Sequence, residues 1–69
     1  MGTIGERIRE IRKVNHLTQE EFSDILGVKQ PHISNIERGK DFPSKTLVVL
    51  ISILFETDRD WLLHGQKMG

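Results

Sequence analysis

The chain contains no cysteine. That removes a disulfide framework, a zinc-thiolate site and a thiol nucleophile, and it suits a reducing cytoplasm. Long apolar runs are missing as well. The longest, Leu47 to Phe55 with Ser52 inside it, falls far short of the roughly 20 residues a membrane helix requires. No basic, apolar, small-residue order opens the chain as a secretory signal would. Net charge is also absent, with ten basic and ten acidic residues among 69. Domains that bind nucleic acid usually carry a basic excess, so the balance taken alone argues against that partner. At this length the chain is one domain, near the lower limit at which an unstapled core offsets conformational entropy.

Distribution matters more than the total. Arg7, Arg9, Arg12 and Lys13 crowd the first element, while Lys29, Arg38, Lys40 and Lys45 punctuate the middle. Glu56, Asp58 and Asp60 lie near the end, so the molecule is expected to be dipolar. Arg7, Arg9 and Lys13 read as a solvated helix face.

Five helical patterns follow one another without linker, repeat or low-complexity segment. Ile4, Ile8 and Ile11 share one face of a helix from about residue 4 to 15, and Thr3 with Glu6 has capping-box spacing. Thr18 with Glu21 repeats that spacing before a second helix, whose inner face is expected at Phe22, Ile25 and Leu26 and whose end is expected at Gly27. A third helix begins near Gln30, since Pro31 has no N–H to give and belongs in a first turn. Its inner face is Ile33 and Ile36, and Gly39 closes it. Ser44 is an N-cap for the fourth helix, and Asp58 for a last short helix carrying Trp61, which is expected in the core as that helix's anchor. The fourth helix holds more apolar residues than one inward stripe needs.

Two helices joined by so tight a glycine turn and packed on a third make a helix-turn-helix. The chain resembles the Cro/repressor, or XRE, family of five-helix DNA-binding domains. The resemblance rests on IGERIREIRK, LTQEEFSDILGV, Q with IS and IERGK, PS, and DWLLHG, in order and at compatible spacing over about residues 3–65. It implies an all-α, five-helix, lambda-repressor-like domain spanning 1–69 with its core at about 3–65. It also implies a transcriptional regulator, a repressor above all, that binds a double-stranded DNA operator as a homodimer in the cytoplasm of a prokaryote or for a phage.

In that family the third helix enters the major groove while the second spans the backbone. Transferred by position, Gln30 and Asn35 are the leading base readers, with Pro31 and Ser34 beside them. An amide pairs one donor with one acceptor, the pattern that adenine displays. Pro31 either touches a thymine methyl or shapes the turn. Thr18, Gln19, Lys29, His32, Lys40 and Lys45 are the expected phosphate contacts, and Gln19 also braces the first reader. Arg12 and Glu37 match a family ion pair that bridges the first helix to the third. Lys29 departs from the family's usual serine or threonine cap, and Glu56 from the glycine or asparagine that ends the fourth helix. The apolar surplus suggests a pairing surface at Val48, Val49 or Ile51.

No nucleophile with a base, no phosphate loop and no close histidine set is visible, since His16, His32 and His64 are far apart. Neither an enzyme nor a metal site, cofactor or small-molecule ligand is expected. A protein-interaction or antitoxin-like adaptor on the same fold is the alternative. Neutral charge and the apolar fourth helix favour it; Gln19, Gln30, Asn35 and the lysines oppose it. Members of the family that are longer begin a linker soon after DWLLHG, so a full-length protein and an excised domain both stay open.

Overall fold

The computed structural model describes residues 2–65 and contains five helices: α1 (Ile4–Val14), α2 (Gln19–Leu26), α3 (Gln30–Glu37), α4 (Lys45–Leu54) and α5 (Arg59–His64). Each start has a local cause. Both capping boxes form, Thr3 with Glu6 and Thr18 with Glu21, so a hydroxyl and a carboxylate exchange bonds with N–H groups that the helix leaves orphaned. Ser44 caps α4 through the Leu47 N–H, and Asp58 caps α5 through those of Asp60 and Trp61. Lys29 gives α3 no side-chain cap. The loss is small, because Pro31 has no N–H and that of His32 already reaches the Lys29 carbonyl at 3.0 Å.

The ends follow from backbone conformation. Gly27 turns at φ 72°, and the Val28 N–H then donates to the Ser23 carbonyl at 3.0 Å, which closes α2 and redirects the chain into α3. Glu56 occupies φ 49° after α4, a left-handed conformation normally left to glycine or asparagine.

Ile4, Ile8 and Ile11 of α1 meet Phe22 and Leu26, Ile33 and Ile36, then Leu47, Val48, Ile51 and Leu62 in one core. The Phe22 and Phe55 rings pack tilted, with centroids 5.3 Å apart. α2 packs on α3, α3 crosses α1, and α5 covers α1 and α4. The α1–α3 crossing is close because Gly5 faces the Ile36 carbonyl, where a Cβ would stand 2.1 Å from the oxygen.

Four sequence expectations are corrected here. Ile25 is 48% exposed, and the small Ser23 takes the inward position with its hydroxyl bonded to the Glu20 carbonyl. Arg7 is 4% exposed rather than solvated, its guanidinium bonded to the carbonyls of Leu62 and Leu63. Trp61 packs against the core from its edge, half-buried rather than inside it, while Leu62 is the fully buried anchor of α5. Val48 and Ile51, expected on a pairing surface, are 2% and 0% exposed, because their turn of α4 lies over the core; Val49 is half-buried. The apolar surplus of α4 surfaces one turn later, at Ile53 and Leu54.

Candidate nucleic-acid interface

The polar edge of α3 is built from the turn that precedes it. Because Gly27 directs α3 across α2, the first residue of each helix stands beside the other: Gln30 Nε2 donates to Gln19 Oε1 at 2.6 Å. Gln19 Nε2 in turn donates to Glu37 Oε1 at 3.1 Å. Glu37 closes the chain on Arg12, accepting from its Nε at 2.8 Å and from a terminal nitrogen at 3.1 Å, a bidentate pair. The remaining arm of Arg12 donates to the Leu17 carbonyl at 2.9 Å and pins the α1–α2 loop. One network therefore runs from α1 through α2 to the solvent edge of α3. Its carboxylate is 3% exposed in the side chain, so solvent screens it little.

Around that network the structure distributes the other candidates. Pro31 is exposed, and Ser34 and Asn35 are half-exposed one turn later on the face opposite Ile33 and Ile36. Asn35 Oδ1 accepts from the Arg38 guanidinium at 2.9 Å, and its amide nitrogen, which makes no protein hydrogen bond among the described residues, can donate outward. His32 faces Asp41, Nδ1 to Oδ2 3.5 Å, with both side chains substantially exposed. Lys29, in the turn, and Lys40, after α3, are exposed; Lys45 is exposed as the first residue of α4. The hydroxyl oxygen of Thr18 accepts the Glu21 N–H at 3.1 Å and caps α2, which leaves the hydroxyl proton to donate elsewhere.

Sequence reasoning gave two of the cations, exposed Arg9 and Arg38, no part in the site. Arg9 and Arg38 converge with Arg12, Gln19, Ser34 and Glu37 on a shallow depression of about 220 Å³. Arg9 stands three residues before Arg12, which puts the two on one side of α1, and that spacing was a usable signal. Phe42, in the loop after α3, is 73% exposed beside an apolar depression of about 270 Å³ formed with Pro43, Lys45, Val48, Val49, Arg59 and Leu63.

Two helices set at a glycine turn, the second presenting a polar edge held from beneath, define a helix-turn-helix module. The profile of the helix-turn-helix family matches residues 8–62. The chain belongs to the XRE-type, or Cro/repressor, branch of that family. It is similar to the uncharacterized HTH-type transcriptional regulator YazB of Bacillus subtilis (strain 168), with 41% identity over 63 residues and 91% of each chain covered. It is 33% identical over 63 residues to the HTH-type transcriptional activator BcrR of Enterococcus faecalis, covering 91% of this chain and 31% of that protein. Against three relatives the chain spans between 31% and 61% of their length. Its fold matches the P22 c2 repressor in complex with synthetic operator 9T at a TM-score of 0.86, with 30% identity, 96% of this chain and 100% of that one.

Proposed function

We propose that this chain is a sequence-specific, duplex-DNA-binding transcriptional regulator that occupies an operator as a homodimer in the cytoplasm of a prokaryote or for a phage. The observation that carries the reading is the bond between Gln30 and Gln19, which holds an amide ready at the outer edge of α3. A fold match to a repressor in complex with operator DNA supports it. Gln30 and Asn35 read base edges, with Pro31 and Ser34 fitting against the groove wall. Gln19, Thr18, Lys29, His32, Lys40 and Lys45 face phosphates and set the register, which carries no sequence information of its own. The N-terminus of α2 offers orphan N–H groups and a partial positive charge to one of those phosphates. Repression requires only occupancy, whereas activation requires a further contact.

A domain of this size spans a short half-site, and pairing about a twofold axis doubles its contacts. With Val48 and Ile51 inside the core, exposed Phe42 and the apolar depression beside it, which Val49 also lines, offer a surface for a second copy.

The test is selection from random duplexes by the purified chain, with the salt dependence of binding to whatever is enriched and a Gln30→Ala, Asn35→Ala variant as control. A twofold-symmetric motif that the variant loses is the expected result. No enrichment at low salt would transfer the weight to the protein-holding adaptor.

A further inference from the structure

The Arg12–Glu37 pair touches no outward edge of α3, yet the network it terminates has a direction. A carboxylate can only accept hydrogen bonds. Glu37 Oε1 therefore admits Gln19 only with its NH2 group inward, at 3.1 Å. Turning the Gln19 amide over would set oxygen against carboxylate oxygen in a site where Glu37 is nearly buried. With one amide N–H given inward to Glu37 and the other left for a phosphate, Gln19 presents Oε1 to Gln30, and Gln30 must answer with Nε2, at 2.6 Å. What Gln30 keeps for the outside is its own Oε1 and one N–H. The two ends of a glutamine amide are nearly isosteric, so an isolated glutamine would choose its edge afresh for each base.

We infer that Glu37 is a remote specificity determinant: its carboxylate fixes, through Gln19, which edge of the Gln30 amide faces DNA. The inference rests on the DNA-binding reading above. An acceptor with one donor beside it matches adenine, which offers the N6 amino group and N7. Reversed, Gln30 would present two donors and match the O6 and N7 acceptors of guanine. Arg12 supports the relay by fixing the orientation of Glu37, through bonds of 2.8 and 3.1 Å.

The decisive variant is Glu37→Gln, which keeps shape but can either donate or accept. Random-duplex selection with the wild type defines the base position that Gln30→Ala relaxes. At that position the wild type is expected to prefer adenine by roughly five- to a hundredfold, and Glu37→Gln to lose most of that preference, with guanine gaining, while other positions keep theirs. A merely structural Glu37 would instead weaken binding at every position alike. Glu37→Gln with an unchanged base preference overturns the inference. Should that variant fail to fold, by circular dichroism, Gln19→Met carries the test, since it removes the relay and leaves the ion pair intact. It must relax the same position, and retention there is equally fatal. The side-chain amide resonances of Gln19 and Gln30 in the DNA-free protein separate the two levels. If the wild type enriches no sequence, the DNA-binding reading falls and the specificity role with it. Glu37→Gln leaving both amide signals unmoved shows that no relay exists, whatever the DNA result.

Discussion

Arg7, near the start of the chain, places its Nε 2.9 Å from the carbonyl oxygen of Leu62, near the end of the described residues. A second guanidinium nitrogen reaches the Leu63 carbonyl at 3.1 Å. The C-terminal carbonyls of a helix lack intrahelical partners and carry a partial negative charge. A buried cation there ties α5 to α1 and satisfies both.

Arg7→Lys is expected to loosen that tie, because a single ammonium cannot reproduce the planar fork. Hydrogen bonds to charged groups contribute about 1.5 to 3 kcal/mol, a large share of the roughly 3 to 10 available to a domain of this length. Urea titration followed by tryptophan fluorescence reads the loss, since Trp61 lies on α5. An unchanged midpoint would mean that these bonds contribute nothing net.

Gly5→Ala sets two effects against each other. Alanine improves helix propensity by up to about 1 kcal/mol. Its Cβ, however, would stand 2.1 Å from the Ile36 carbonyl oxygen, a backbone atom that cannot rotate aside. Overpacking of that kind costs about 1 to 3 kcal/mol, so net destabilisation is expected, with α3 displaced and operator affinity reduced. A rise in melting temperature would show that the two helices can part without penalty.

The α1 capping box gives a pH dependence with a definite sign. Glu6 accepts the Thr3 and Gly2 N–H groups at 3.1 and 3.0 Å, and these backbone bonds, that of Thr3 foremost, hold its pKa below the ordinary carboxylate value. A group depressed on folding contributes stability that is complete above its unfolded pKa and lost as pH falls through the folded value. The melting difference between wild type and Glu6→Gln should therefore be constant near neutrality and shrink in acid. A difference that grows in acid would contradict the box as the source.

How much of this was legible in the sequence depended on whether the cause was local. Capping boxes, the glycine turn and the Ile4, Ile8, Ile11 stripe are set by neighbours three or four residues apart, and they form where spacing put them. Ile25 lost the inward position to Ser23 because a helix of eight residues, little more than two turns, fixes the phase of its stripe weakly, and tertiary packing decided it. Arg7 was misread since its partners lie 55 and 56 residues away and are backbone carbonyls, which no side-chain pattern announces. Val48 and Ile51 were misplaced for a related reason: α4 is apolar nearly all round, so its pattern names no inward face. The Gln19–Gln30 bond was reachable only through family resemblance, because sequence alone does not fix the angle between α2 and α3.

Lys29→Ser separates a cap from a phosphate contact. Serine is normally worth about 1 kcal/mol at an N-cap. Here the gain should stay below about 0.5 kcal/mol, because Pro31 lacks an N–H and the His32 N–H already bonds the Lys29 carbonyl at 3.0 Å. Operator binding should nevertheless weaken almost uniformly across sequences, with the salt slope falling by about one. A full cap gain with an unaltered slope would place Lys29 away from the phosphates.

Phe42 supplies the test of pairing. It is 73% exposed, so Phe42→Ser should leave the melting temperature of the protomer nearly unchanged. If a second copy covers it, the variant should sediment as a monomer at concentrations where the wild type associates, and selection should return a single half-site in place of a twofold-symmetric motif. The half-site itself should keep the wild-type base preferences, since the Phe42 side chain is not part of the Gln30–Gln19–Glu37 network. A symmetric motif retained by Phe42→Ser would move the pairing surface elsewhere, with Ile53 and Leu54 at the end of α4 the next exposed apolar candidates.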